Sequence, residues 1–248
     1  MSYVFHTLTA KSISYGRTRS ASSIKYIVLH YTGNKTDTAK GNANYFSPNG
    51  SNTRAAGAHY FVDDTTVYQS IPDTRVAWSV GGSKYSDCAR TSGGKMYGMI
   101  TNSNSVSIEM CSKNGKITDA TIANAVALAK VLMARYGIPA SRVYRHFDVN
   151  GKQCPGWNGW TSKSAPLWDA FKKALTTNAS STSNAKKEDE DDMMYYKKFE
   201  NIPSYYQKAV KKLIDKGAIA GTGGGELNVS EDLCRILTIL DNAGVFDG

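Results

Sequence analysis

Three residues of this chain have side chains that could do chemistry together: His30, His146 and Cys154. His30 lies at the end of an apolar, β-branched run from Ile24 to Tyr31, while His146 and Cys154 share a short Gly-containing segment with Lys152 between them. Two imidazoles and one thiolate make a good three-ligand zinc set. Three protein ligands leave the fourth position open for water, whereas structural zinc is usually closed by four. Such a zinc polarises a carbonyl and lowers the pKa of its water towards ~7. Taken singly, each of the three reads more readily as a satisfied core histidine or a buried thiol.

A hydrolytic zinc site also needs a base. Glu109 is the only Glu in residues 1–178. In Ser105–Cys111, Val106, Ile108 and Met110 alternate with Ser105, Ser107, Glu109 and Cys111, which puts Glu109 on the polar face of a strand. A carboxylate held within hydrogen-bond reach of a metal water is a good general base; otherwise Glu109 is an exposed strand residue.

Four segments come in one order: Ile27-Val28-Leu29-His30-Tyr31-Thr32, Ala58-His59-Tyr60-Phe61-Val62-Asp63-Asp64, Ser107-Ile108-Glu109, and His146 through Lys152 to Cys154-Pro155. Over roughly residues 20 to 175 the chain resembles the zinc-dependent N-acetylmuramoyl-L-alanine amidases of the peptidoglycan-recognition fold, above all the endolysins of Gram-positive hosts. Four ordered motifs carry far more weight than one. The resemblance implies Zn2+ held by His30, His146 and Cys154. It implies Glu109 as the base, on the branch of the family that lacks a Tyr before the second-motif His; here that position is Ala58. It also implies cleavage of the amide between N-acetylmuramic acid and the L-alanine of the stem peptide. Lys152 falls where the family often has a cation, and would stabilise the oxyanion. Tyr60, expected to face the same side as Ala58, is a backup candidate, and His59 is expected behind the ligands or in the pocket wall. Ser79 departs from the Trp-His-Ala-Gly common in relatives, which bears on substrate contact. The loop Gly81–Thr101 is expected to rim the groove. A non-catalytic peptidoglycan-recognition module is the alternative, but such relatives typically lack the thiolate ligand.

The elements that must position these residues are legible in the periodicity. Ile24–Tyr31 predicts a central strand. Thr38–Phe46 predicts a helix, and Ala58–Asp63 with Thr66–Ser70 two strands around a tight turn. Thr118 is an N-cap for a helix with Ile122, Val126, Ala129, Val131 and Leu132 inward, stopped near Gly137 and Pro139. Arg142–Arg145 is a short strand delivering His146 to a loop. Pro166–Leu175 is a last helix, with Leu167, Trp168, Phe171 and Leu175 at helical spacing. The expected fold class is α/β, a mixed central sheet flanked by helices, plus a small all-α C-terminal domain. The expected domains are 1–178 (catalytic), 179–192 (linker) and 193–248. The linker follows from a Ser/Thr/Asn/Ala run and an acidic run with almost nothing to bury. In the last domain, Tyr205–Lys216 and a helix capped by Ser230 flank a Gly-rich turn, Gly221–Gly225. Ala209, Val210, Leu213 and Ile214 are expected inward on the first helix, and Leu233, Ile236, Leu237 and Leu240 on the second. This plan is weakly similar to S-layer-homology wall-binding motifs. One such copy is small for an independent fold, so wall binding or homodimerisation through Leu213, Ile214, Leu237 and Leu240 is expected.

Bulk properties narrow the partners. Residues 1–178 carry 21 Lys and Arg against 9 Asp and Glu, and the remainder 9 against 12. A basic catalytic part suits an anionic polymer such as a teichoic-acid-bearing Gram-positive wall. No nucleic-acid motif or aromatic-basic platform is present. No stretch approaches the ~20 apolar residues of a membrane span. The N-terminus has no basic start followed by an apolar run, so synthesis in the host cytoplasm without a signal peptide, then action on the wall after release, is expected. Cys88, Cys111, Cys154 and Cys234 show no disulfide-framework spacing, which suggests a reducing compartment of synthesis. Cys111 and Cys234 are expected to be plain buried thiols.

Overall fold

The apolar runs of residues 3–177 assemble around one six-stranded mixed sheet in the computed structural model, which describes residues 3–161, 164–177, 195–219, 227, 229–242 and 246. The elements in order are β1 (Val4–Thr7), β2 (Tyr15–Thr18), β3 (Tyr26–Tyr31), α1 (Ala39–Phe46), β4 (Tyr60–Val62), β5 (Thr66–Gln69), β6 (Arg75–Ala77), α2 (Cys88–Thr91), β7 (Ser105–Met110), α3 (Asp119–Tyr136), β8 (Val143–Arg145), α4 (His146–Asn150) and α5 (Pro166–Thr176). The six-stranded sheet has the order β1-β5-β4-β7-β3-β8. Only β4 and β5, joined by the tight turn, run antiparallel; β2 and β6 form a separate antiparallel pair.

β3 lies between β7 and β8, and Ile27, Val28 and Leu29 are buried on both faces, as a central strand requires. Ile27 and Leu29 join Val106, Ile108 and Met110 of β7 in the main core with residues of α3 and α5. Val28 packs on the opposite face with Val80, Ile100 and Val149. Parallel register sets His30 beside Glu109 on that second face. The alternation of β7 therefore separates a helix-covered side from a side open to chemistry.

The helix signals act locally. Thr38 Oγ1 accepts from Gly41 N at 3.0 Å, and Thr118 Oγ1 from Thr121 N at 3.1 Å. Gly137 ends α3 at φ +61°. The inward stripe of α3 is Ala125, Leu128, Ala129 and Leu132, with Ile122 and Val126 at its edge. Val131 is only half-buried, because it lies outside that i, i+3, i+4, i+7 stripe. On α5, Trp168, Phe171 and Leu175 are buried, but Leu167 points out, one position off their stripe. The edge strand β1 is exposed throughout and so has no burial pattern that periodicity could reveal.

The chain divides into two compact units, Met1–Ser181 and Thr182–Gly248. The second contains β9 (Tyr195–Tyr196), α6 (Ser204–Asp215), β10 (Val229–Ser230) and α7 (Glu231–Asn242), so a two-residue antiparallel pairing joins the two helices. Ala209, Val210 and Leu213 of α6 pack with Cys234, Leu237, Tyr196, Ile202, Tyr206 and Val229, and Ile214 packs partly against them. Leu213 and Leu237 are therefore used by the unit's own core rather than left over for a partner. Leu237 is buried as expected, but Leu233 and Ile236, also expected inward, are 40% and 53% exposed, because α7 turns Cys234 inward beside Leu237. Ser230 Oγ accepts from Leu233 N at 3.2 Å, as an N-cap does. The expected linker 179–192 and the turn Gly221–Gly225 lie outside the described residues.

Candidate metal centre and active site

Three elements bring His30, His146 and Cys154 together. β3 presents His30 from the sheet, and β8 runs into α4, whose first residue is His146. The segment after His146, expected as loop, is a short helix closed by Gly151 at φ +91°. Asp148 caps it by accepting from Arg145 N at 2.8 Å. The chain then folds back, and Phe147 N donates to Cys154 O at 2.8 Å.

One ligand atom from each of the three buried residues lies within 4.8 Å of the others. Cys154 Sγ is 3.7 Å from His30 Nδ1. Tetrahedral zinc bonded to both would separate them by about 3.6 Å. His30 Nε2 and both ring nitrogens of His146 are buried with no hydrogen-bond partner among the described residues, as is Glu109 Oε2. Native proteins rarely leave such groups unsatisfied. Burial, then the neighbouring His146 and Lys152, holds His30 well below 6.5. Burial and then Lys152 bring His146 down to about 3. The Cys154 thiol is pushed up by burial and then by Glu109. These are neutral imidazoles and a thiol with unused lone pairs, a donor set that a dication satisfies and that suits zinc chemically.

Glu109 Oε1 is 3.9 Å from His30 Nδ1, and 20% of its side chain remains open to the adjoining cleft. Burial raises its pKa to about 8, opposed by Lys152 and reinforced by Asp37. Lys152 is exposed, and its charge lowers the pKa of His30, Glu109, His146 and Cys154 alike. Glu109 and Lys152 line a cleft of about 810 Å³ shared with Thr32, Asp37, Asn42, Arg54 and Trp78. A second cleft, of about 620 Å³, is lined by Tyr31, Gln153 and Trp157. Nothing in these residue types marked them in the sequence; their one signal is adjacency to His30 and Cys154.

Other expectations divide. Tyr60 is removed from the site: it points into the main core, and its hydroxyl donates to Asp73 Oδ2 at 2.9 Å. Ala58 packs in a different cluster with Ala39 and Phe61, because β4 begins only at Tyr60 and two-residue alternation does not extend back to it. His59 is buried outside the trio. Ser107 N donates to its Nδ1 at 3.1 Å, and its Nε2 lies 2.9 Å from Arg19 Nη2 and 3.1 Å from Arg75 O. Burial and then the Arg19 guanidinium bring it to about 4. Ser79 lines the first cleft, and Asn102 Oδ1 accepts from Ser79 N and Val80 N at 3.0 and 2.8 Å, fixing that loop. Within Gly81–Thr101, the residues from Gly81 to Tyr85 line a cleft beside His146 and Lys152. Arg90 instead pairs with Asp87.

Residues 20–157 match the family model described as N-acetylmuramoyl-L-alanine amidase. N-acetylmuramoyl-L-alanine amidase CwlL of Bacillus licheniformis is 34% identical over 60% of this chain and 40% of its own length. The chain spans about two fifths of the length of such curated relatives. Among solved structures, the PlyG catalytic domain aligns at TM-score 0.54 with 27% identity, over 73% of this chain and 99% of that one. The catalytic domain of XlyA aligns at TM-score 0.53 with 24% identity, over 69% and 99%, and shares the fold.

Proposed function

This chain belongs to the N-acetylmuramoyl-L-alanine amidase family, and we propose that it hydrolyses the amide joining N-acetylmuramic acid to L-alanine in the peptidoglycan of a Gram-positive wall. His30, His146 and Cys154 would hold Zn2+. Zinc in such a set supplies Lewis acidity, polarising an amide carbonyl and acidifying water. Glu109 takes the proton from the attacking water and returns it to the leaving alanine nitrogen. Lys152 offers its ammonium to the oxyanion that develops on the carbonyl oxygen.

The observation that carries this reading is the 3.9 Å approach of the Glu109 carboxylate to His30, on the cleft side of a buried two-imidazole, one-thiol cluster. Digestion of purified walls tests it. New N-terminal alanine without new reducing sugar is the expected product, and loss of that release with a strong chelator ties it to metal. New reducing ends without new alanine would mark a glycosidase instead. Residues 193–248 are proposed to carry the enzyme to the wall or pair it with a second copy, and residues 1–178 to carry the chemistry.

A further inference from the structure

An open sheet leaves two edges, and this fold treats them differently. β8, at one end, is only three residues long, and Lys172 of α5 donates to its Val143 O at 3.0 Å. Short edge strands and lysines are common means of keeping an edge from pairing with another chain. β1, at the other end, has no such protection. It pairs with β5 residue for residue without a bulge, and Tyr3–Ala10 contains no Pro, Lys, Arg, Asp or Glu. Val4 and Phe5, on opposite faces, are 59% and 49% exposed.

The ladder defines what this edge offers. Val4 N donates to Thr65 O at 2.9 Å and Leu8 N to Gln69 O at 3.0 Å. Backbone groups alternate along a strand, so Val4, His6 and Leu8 face β5, while Phe5 and Thr7 turn both N–H and C=O outward. Among the described residues, β1 pairs with no strand but β5. Such a row of free donors and acceptors is a template for one more strand.

We propose that β1 is a contact between two copies of this chain, paired antiparallel across a two-fold axis at His6. The pattern is self-complementary. Phe5 stands opposite the partner's Thr7, and their outward N–H and C=O groups bond in both directions. On the other face Val4 meets the partner's Leu8, which covers an apolar side chain that a single copy leaves in water. His6, stacked on Tyr68 at 4.7 Å, meets the partner's His6, so the aromatic row continues across the join. A strand paired with itself must not bring like charges together, and this one carries no acidic or basic residue other than His6. β5, β4 and β7 lie between β1 and β3, so the join leaves the strands of His30 and Glu109 out of the contact. The inference does not depend on which bond the chain cuts.

The full-length chain tests it. Sedimentation should show a reversible dimer. Thr7→Pro removes only an outward N–H and keeps the bonds to β5, so it should fold and weaken the dimer on the order of tenfold. His6→Cys should cross-link two copies under mild oxidation, because a non-hydrogen-bonded antiparallel pair brings Cα atoms to about 4.5 Å, within disulfide reach. The chain's own Cys88, Cys111, Cys154 and Cys234 are buried, so a covalent dimer reports the new thiol. Lys25→Cys, exposed just before β3, should not cross-link. A wild type that sediments only as a monomer, or a His6→Cys protein that cross-links no faster than Lys25→Cys, would overturn the proposal. A dimer unmoved by Thr7→Pro would overturn it too, and direct attention to the second unit. If melting shows Thr7→Pro unfolded, His6→Lys takes its place, since it sets two ammonium groups against each other across the axis.

Discussion

At the scale of single residues, the site is a set of groups whose ordinary ionisation is suppressed. Glu109→Gln keeps the side chain's shape and removes the base. It is expected to retain zinc and fold but lose about 10²–10⁴-fold in kcat. Metal analysis beside wall-digestion kinetics checks this, and near wild-type turnover would rule Glu109 out as the base. The same shifts give the metal-free protein a defined pH response. His30, His146 and His59 have folded pKa values below 6.5, so the unfolded chain takes up their protons first and stability is lost as pH falls below 6.5. Glu109 acts oppositely: its folded pKa of about 8 exceeds the unfolded 4.5, so stability is lost as pH rises between those values. Three histidines outweigh one carboxyl below pH 6.5, and only Glu109 acts from there to about 8. Chelated protein should therefore melt highest near pH 6.5, and Glu109→Gln should flatten the decline above it. A melting temperature that rises steadily from pH 6.5 to 8 in the chelated wild type would contradict this. Zinc binding displaces the Cys154 proton, so zinc-dependent stabilisation should grow with pH.

At the scale of elements, the short helix α4 matters most, because it aims His146. Arg145, just before it, is largely buried: it pairs with Asp148 at 2.6 Å, donates to Trp160 O, and stacks over Phe147 and Trp168 at 5.0 Å. Asp148→Ala would leave that guanidinium without its carboxylate and α4 without its cap. A loss of about 3–5 kcal/mol is expected, together with weaker zinc retention. Chemical denaturation with and without zinc measures both. Unchanged zinc affinity would show that His146 is held by other contacts. Thr118→Ala, by contrast, removes the cap of α3 and its contact with Asp64, without touching the groups that hold α4. It should cost ~1 kcal/mol and leave zinc binding alone.

At the scale of the whole chain, two units have separate cores and opposite charge balance. Cutting between Asn184 and Met193 should leave residues 1–184 able to release N-terminal alanine from soluble muropeptides. Binding to whole walls and lysis of cells should fall. Because Leu213 and Leu237 are used internally, self-association of the second unit would draw on exposed Leu233 and Ile236. A second unit that neither sediments with purified walls nor self-associates would have no targeting or pairing role. Wall binding by the basic first unit should weaken with salt, since it rests on screened charge.

Much of this was legible in the amino-acid sequence. The β7 alternation separated Glu109 from Val106 and Ile108, the caps at Thr118 and Gly137 bounded α3, and the ordered motifs carried the family and the ligand types. Each is a local signal, read from neighbours within a turn or two of chain, because burial repeats with the period of the element. What lay beyond it depended on how distant segments meet. Alternation could not carry Tyr60 to the Ala58 side, because β4 begins at Tyr60 itself. Helical spacing in α7 pointed to Leu233 and Ile236 alongside Leu237, and tertiary packing kept Leu237 but buried Cys234 in their place. The β3–β7 register that sets His30 beside Glu109, and the edge-on contact of Trp157 with Tyr31, arise only when strands and loops far apart in the chain close on one another. Periodicity reports which face is buried; only the folded chain decides what that face is buried against.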